Sequence, residues 1–198
     1  MIKLKYIPYY ILKPFVTAYY VIKFRPTVIG KENIPKKGPI ILCGNHKHIH
    51  DQYNVMIVTN RVVHYMAKDE YFKGPNAWYY KIAQCIPVDR TIHDELAKTK
   101  ALNVLKNGEA LGIFPEGTRN KTLGTKEEVD LLPFKFGAVS LAKKTNALIV
   151  PFGISGEYTG KKGKLVTRIG KPFSVGDMDL EKANELLRQK ILKLMKNK

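Results

Sequence analysis

Five short apolar runs, Pro39 to Cys43, Val62 to Ala67, Cys85 to Val88, Ala110 to Phe114 and Ala147 to Phe152, recur along the chain and contain no Asp, Glu, Lys or Arg. Runs of this kind are what a strand covered on both faces requires. Between and after them lie segments with helical periodicity, over Asp51 to Thr59, Asn76 to Ala83, His93 to Lys106 and Phe134 to Lys144. Alternation of buried strands with helices predicts an α/β domain whose central sheet is largely parallel and flanked by helices. Lys164 to Ile169 is predicted to add an edge strand. Leu180, Ala183, Leu187, Ile191 and Leu194, at three- and four-residue spacing, predict an amphipathic helix that closes the domain against the sheet.

A chain of 198 residues with 44% hydrophobic and 26% charged residues suits one globular domain. We expect it to occupy residues 26–198, after an N-terminal segment, residues 1–25, of different character. There Leu12, Phe15, Val16 and Tyr19 form an apolar stripe with Lys13 and Lys23 elsewhere on the surface, and Pro8 and Pro14 are expected to break the helix into pieces. The aromatic and basic mixture suits a helix lying in a lipid headgroup layer. The uncharged stretch from Pro14 to Ile22 is about half of the ~20 residues that span a bilayer, so a monotopic seat is expected. Lys3, Lys5 and Lys13 interrupt the apolar region that a secretory signal needs, which argues against export.

The formal charge of +17, from 34 Lys and Arg against 17 Asp and Glu, predicts acidic partners. No nucleic-acid motif organises these charges, so an anionic membrane surface is the expected partner and nucleic acid is not. Cys43 and Cys85 both lie in apolar runs and read as buried free thiols of a reducing cytoplasm.

Two blocks carry candidate chemistry. Gly44-Asn45-His46-Lys47-His48-Ile49-His50-Asp51 directly follows the first predicted strand, where α/β proteins place their sites. The histidines could be structural. They could be metal ligands, since His-x-His-x-His-Asp resembles the first block of metallo-hydrolases with its last two positions exchanged, although only His64 and His93 remain downstream to complete such a set. Or His46 and Asp51 could form a general-base pair, the carboxylate holding one ring nitrogen and leaving the other free to take a proton. Residues five apart do not share a helix face, so the last reading requires the turn to fold back on itself. The second block, Phe114-Pro115-Glu116-Gly117-Thr118-Arg119, again follows a strand. In it Gly117 permits close backbone approach and Arg119 offers a fork for phosphate. A structural turn with a surface ion pair would use similar residues.

Taken together the blocks are more specific. Asn45-His46 with four residues before Asp51, followed by Phe-Pro-Glu-Gly-Thr-Arg, resembles the glycerolipid acyltransferase family and, within it, the 1-acyl-glycerol-3-phosphate acyltransferases. Ile86-Pro87-Val88-Asp89-Arg90, Leu132-Pro133-Phe134-Lys135-Phe136-Gly137-Ala138 and Val150-Pro151-Phe152-Gly153 resemble the family's other blocks, in the same order, so the likeness runs from about Gly30 to Gly156. It implies that His46 deprotonates an acceptor hydroxyl and that Asp51 orients it. Arg119, with Arg90, would grip the acceptor phosphate, while Glu116, Gly117 and Thr118 shape the acceptor site. Val150-Pro151-Phe152 would line an acyl or acceptor path. Where the family commonly has Ser, this chain has His48.

The reaction so implied is transfer of a fatty acyl group from acyl-CoA or acyl carrier protein to the sn-2 hydroxyl of lysophosphatidic acid. It would form phosphatidic acid on the cytoplasmic face of the cell membrane, with neither metal nor cofactor. Glycerol 3-phosphate or another lysophospholipid would be accepted by similar blocks. The rival from another class is a non-catalytic basic lipid- or nucleic-acid-binding module.

Overall fold

In the computed structural model, residues 3–89, 91–92, 94–120 and 131–196 are described. Seven strands form one mixed sheet: β1 (Thr27–Ile29), β2 (Ile40–Gly44), β3 (Val63–Lys68), β4 (Ile86–Val88), β5 (Ala110–Ile113), β6 (Leu148–Gly156) and β7 (Leu165–Ile169). Their spatial order is β1-β7-β6-β2-β5-β3-β4. Every pairing is parallel except β6 with β7.

The five apolar runs are the five strands β2 to β6, and β2, fully buried, lies at the middle. Alternate residues of these strands feed two cores. Ile41, Cys43, Leu111 and Ile149 meet α4 (Glu95–Lys106), α5 (Gly137–Thr145) and α6 (Leu180–Lys196) on one face. Ile40, Leu42, Val63, Val150 and Phe152 face the other way, toward Val55 of the one-turn α2 (Tyr53–Met56) and Tyr20 and Phe24 of α1 (Ile7–Phe24). A sixth helix, α3 (Ala77–Ile82), leads into β4. α4 begins where Asp94 caps it, the side chain accepting the Ala97 amide at 2.9 Å.

Three expectations change. β7 is not an edge strand, because β1, three residues of mostly exposed chain with no apolar run to announce it, pairs outside it. α1 is one helix rather than pieces: Pro8 sits in its first turn, where no amide partner is needed, and Pro14 is carried within it. Buried Tyr6 and Tyr9 before Pro14, and Tyr20 and Phe24 after it, anchor both halves to the domain. α2 is shorter than predicted, since Asp51 and its neighbours are spent on a turn that precedes it. Of the expected loop from Asn120 to Leu132, residues 121–130 lie outside the described residues.

α1 covers the sheet with one face and leaves Ile11, Phe15, Tyr19 and Ile22 on the other, with Phe15 71% and Ile22 74% exposed. No described helix is long and apolar enough to cross a membrane. Cys43 is buried and Cys85 partly exposed, both as free thiols.

Candidate active site

β2 and β5 are adjacent parallel strands in which Cys43 pairs with Ile113, so both continue into loops at the same end of the sheet. This topology brings the two sequence blocks together. Gly44 ends β2 beneath the ring of Phe152, whose atoms lie 2.2–2.5 Å from where a Cβ would stand. Only glycine fits there. Asn45 then clamps the neighbouring strand, its amide donating to Ile154 O at 3.0 Å while Ile154 N donates to its Oδ1 at 2.7 Å.

The required fold-back occurs. Asp51 is fully buried, and its Oδ2 accepts from His46 Nδ1 at 2.8 Å and from the amides of Lys47 and His48, each at 2.7 Å. Three donors on one oxygen force the chain around the carboxylate. Because Nδ1 carries the proton of that bond, the neutral ring offers Nε2 as its free lone pair. Among the described residues, Nε2 has no hydrogen-bond partner. Phe114 lies flat against the imidazole, with centroids 4.1 Å apart and planes at 12°, and fixes its tilt.

The second block is tied to the first through the backbone. Glu116, buried, accepts the His46 amide on Oε1 at 2.8 Å and the Leu132 amide on Oε2 at 3.0 Å. Burial pushes its carboxyl up, and those two bonds oppose the shift. The amide of Asn120 donates to His46 O at 2.6 Å. Gly117, at φ 70°, closes a turn whose amide returns to Phe114 O at 2.9 Å, and the Lys135 side chain fills the space beside it. Thr118 and Arg119 are exposed on the rim. Burial lowers His48 from its ordinary value; the Asp51 charge opposes that shift and the Arg119 charge adds to it. Arg90 lies outside the described residues, two positions beyond the end of β4.

The three imidazoles are not equivalent. His48 stacks on Tyr158 at 4.1 Å, and its Nδ1 accepts the His50 amide at 3.3 Å. His50 packs against Phe24 and Tyr20 and is lowered by burial and by His48. His64 is buried at the start of β3, where it bonds Gln84 O, and His93 lies outside the described residues. Among the described residues no three His, Cys, Asp or Glu side chains converge on one point as a metal set.

Sequence reasoning missed Phe114 as the ring support and Tyr158 as a partner of Asp51. The aromatic that opens the second block was a signal for the first; nothing in spacing marks the second. Val150, Pro151 and Phe152 are buried in the centre of the sheet, where the Phe152 ring packs over Gly44.

Residues 25–155 match the family model described as Acyltransferase, two thirds of the chain. The chain belongs to that family. Its curated relatives include the 1-acyl-sn-glycerol-3-phosphate acyltransferase of Bacillus subtilis, 34% identical over 158 residues, which make up 76% of this chain and 74% of that one. The enzyme of the same name from Saccharomyces cerevisiae is 33% identical over 170 residues, covering 80% of this chain and 54% of its own length. The crystal structure of the 1-acyl-sn-glycerophosphate (LPA) acyltransferase of Thermotoga maritima superposes with a TM-score of 0.70 over 93% of this chain and 80% of that one. At 24% identity that likeness speaks to the fold. Both α1 up to Phe24 and Tyr158 fall outside the matched span.

Proposed function

We propose that this acyltransferase moves a fatty acyl group from acyl-CoA or acyl carrier protein to the sn-2 hydroxyl of 1-acyl-glycerol 3-phosphate, forming phosphatidic acid. The observation that carries the reading is the His46–Asp51 pair held against the Glu116 block, in a chain whose relatives bear that activity's name.

In this mechanism His46 Nε2 takes the proton of the acceptor hydroxyl as the oxygen attacks the thioester carbonyl. The tetrahedral intermediate collapses, the carbon–sulfur bond breaks, and the imidazolium returns the proton to the leaving thiolate. Asp51 keeps the ring in the tautomer that can do this. A thioester is already activated, so positioning and a base suffice and no acyl-enzyme is formed. Arg119, helped by Arg90, takes the acceptor phosphate in a charge-assisted fork, and Thr118 stands beside it on the rim. Glu116 and Gly117 act on this site by holding the backbone that carries His46 and Arg119.

The apolar stripe on the outer face of α1 supports a peripheral seat on a membrane, and the formal charge of +17 supports an anionic one. A cavity of about 350 Å³ lies inward of that stripe, lined by Phe15, Val16, Tyr19, Tyr53 and Tyr79 and reaching His50, next to Asp51. Its lining suits the methylenes of an acyl chain drawn from the bilayer.

Purified protein supplied with a panel of lysophospholipids, glycerol 3-phosphate and both donor types, with products read by mass spectrometry, tests the assignment. Phosphatidic acid from lysophosphatidic acid is the expected product. Product formed only from a different acceptor would reassign the substrate, and product from none would remove the reading.

A further inference from the structure

Asp51 has a fourth partner that arrives from outside the two blocks. The hydroxyl of Tyr158, two residues beyond β6, donates to Asp51 Oδ1 at 2.5 Å, on the side of the carboxylate opposite His46. That hydroxyl in turn accepts from Asn54 Nδ2 at 2.9 Å, and Asn54 Oδ1 accepts from the hydroxyl of Tyr20, on α1, also at 2.9 Å. Each donor therefore points the same way, from Tyr20 through Asn54 and Tyr158 to Asp51. Tyr20, Asn54 and Asp51 are all at most 1% exposed. Bonds aligned in one direction in a dry interior polarise and strengthen one another.

The ring of Tyr158 is fixed as well as bonded. His48 stacks on one side of it, and Phe24 of α1 meets it edge-on with centroids 5.3 Å apart. Burial, and then the Asp51 charge, push its hydroxyl well above the ordinary tyrosine range, so it stays a donor.

We infer that Tyr158 is a positioning residue for acyl transfer: it shares the negative charge of Asp51 and thereby sets how strongly that carboxylate holds the imidazolium of His46, with Tyr20 extending the control to α1. A carboxylate that gives part of its charge to a hydroxyl attracts an imidazolium less. Removing the hydroxyl returns that charge to the His46 side. The other charged and titratable groups facing Asp51 are Lys47, His48 and His50 of its own turn and Tyr65 of β3. None of these side chains bonds the carboxylate. Lys47 Nζ donates to Gly156 O, and the Tyr65 hydroxyl to Gln52 O.

The inference rests on His46 being the base, and the test separates the two. Rates against pH are measured for the intact protein and for Tyr158→Phe, Tyr20→Phe and His46→Ala. Tyr158→Phe should change kcat by no more than about tenfold with KM little changed, the scale of one charge-assisted bond. Its acid limb in kcat/KM should move to higher pH by about half a unit. Tyr20→Phe should shift the limb the same way by less. An acid limb that stays at its original pH in Tyr158→Phe overturns the positioning role, whatever happens to kcat, because a merely structural tyrosine would change rate or stability without moving it. Turnover retained in His46→Ala would instead overturn the base assignment itself.

Discussion

The backbone amide of His46 donates to Oε1 of Glu116 at 2.8 Å, so the acid of the second block holds the backbone of the residue that would act as base. The other oxygen of Glu116 holds the Leu132 amide, and the carboxylate that accepts both bonds is itself buried. Glu116→Gln replaces one acceptor by a donor that faces an N–H. We expect a loss of about 1–3 kcal/mol in urea unfolding and a fall in kcat, because the His46 loop is no longer pinned. An unchanged midpoint and rate would show that the two blocks cohere without this acid.

Arg119, exposed on the rim, serves binding rather than chemistry in this account. Arg119→Ala should raise KM for a phosphorylated acceptor about 10–100-fold while kcat changes little, with Arg119→Lys recovering part of the loss. Steady-state rates at varied acceptor concentration decide it; a fall confined to kcat would move Arg119 into the transition state.

The fold was legible in the sequence wherever a single local signal governs an element. Five buried strands gave five apolar runs, and Ala183, Leu187 and Ile191 marked the buried stripe of α6. What depends on distant partners was hidden. The three residues of β1 are mostly exposed and gain their strand only by pairing with β7. Pro14 sits within a helix because tyrosines on either side of it are buried against the domain, and no window around Pro14 contains that information. The His46–Asp51 pair was readable because both partners occupy one short turn. Tyr158 was not, since 107 residues separate it from the carboxylate it bonds.

His64 gives the fold a pH dependence of its own. It is buried at the start of β3, with Nε2 3.3 Å from a carboxylate oxygen of Glu109, and burial lowers it despite that opposite charge. As pH falls through about 6.5 the unfolded chain therefore takes up this proton before the folded one does. The stabilising contribution is complete above that pH and is lost as the pH falls toward the lower folded value. Melting temperatures from pH 7.5 to 5 should decline, and more gently in His64→Gln, which cannot titrate. Parallel declines in the two proteins would remove His64 as a cause.

Cys43, inside β2, faces the α4–α6 core, and burial pushes its thiol up well beyond the ordinary range. Cys85 is pushed up to about 12 by the same cause. Neither is a nucleophile at neutral pH. Cys43→Ala should keep its turnover, and the intact protein should accumulate no acyl-thioester on mixing with donor alone, as intact-mass spectrometry would read. A stable acyl adduct on Cys43 would replace the direct-transfer mechanism with a two-step one.

The account turns on His46 taking a proton while Asp51 orients it, and the rate of phosphatidic acid formation from lysophosphatidic acid and an acyl thioester tests this most directly. With folded His46→Ala the rate should fall to the level without enzyme, and with Asp51→Asn by about 10²–10⁴-fold at nearly constant KM. Turnover within a few-fold of the unmodified protein in His46→Ala would contradict the account.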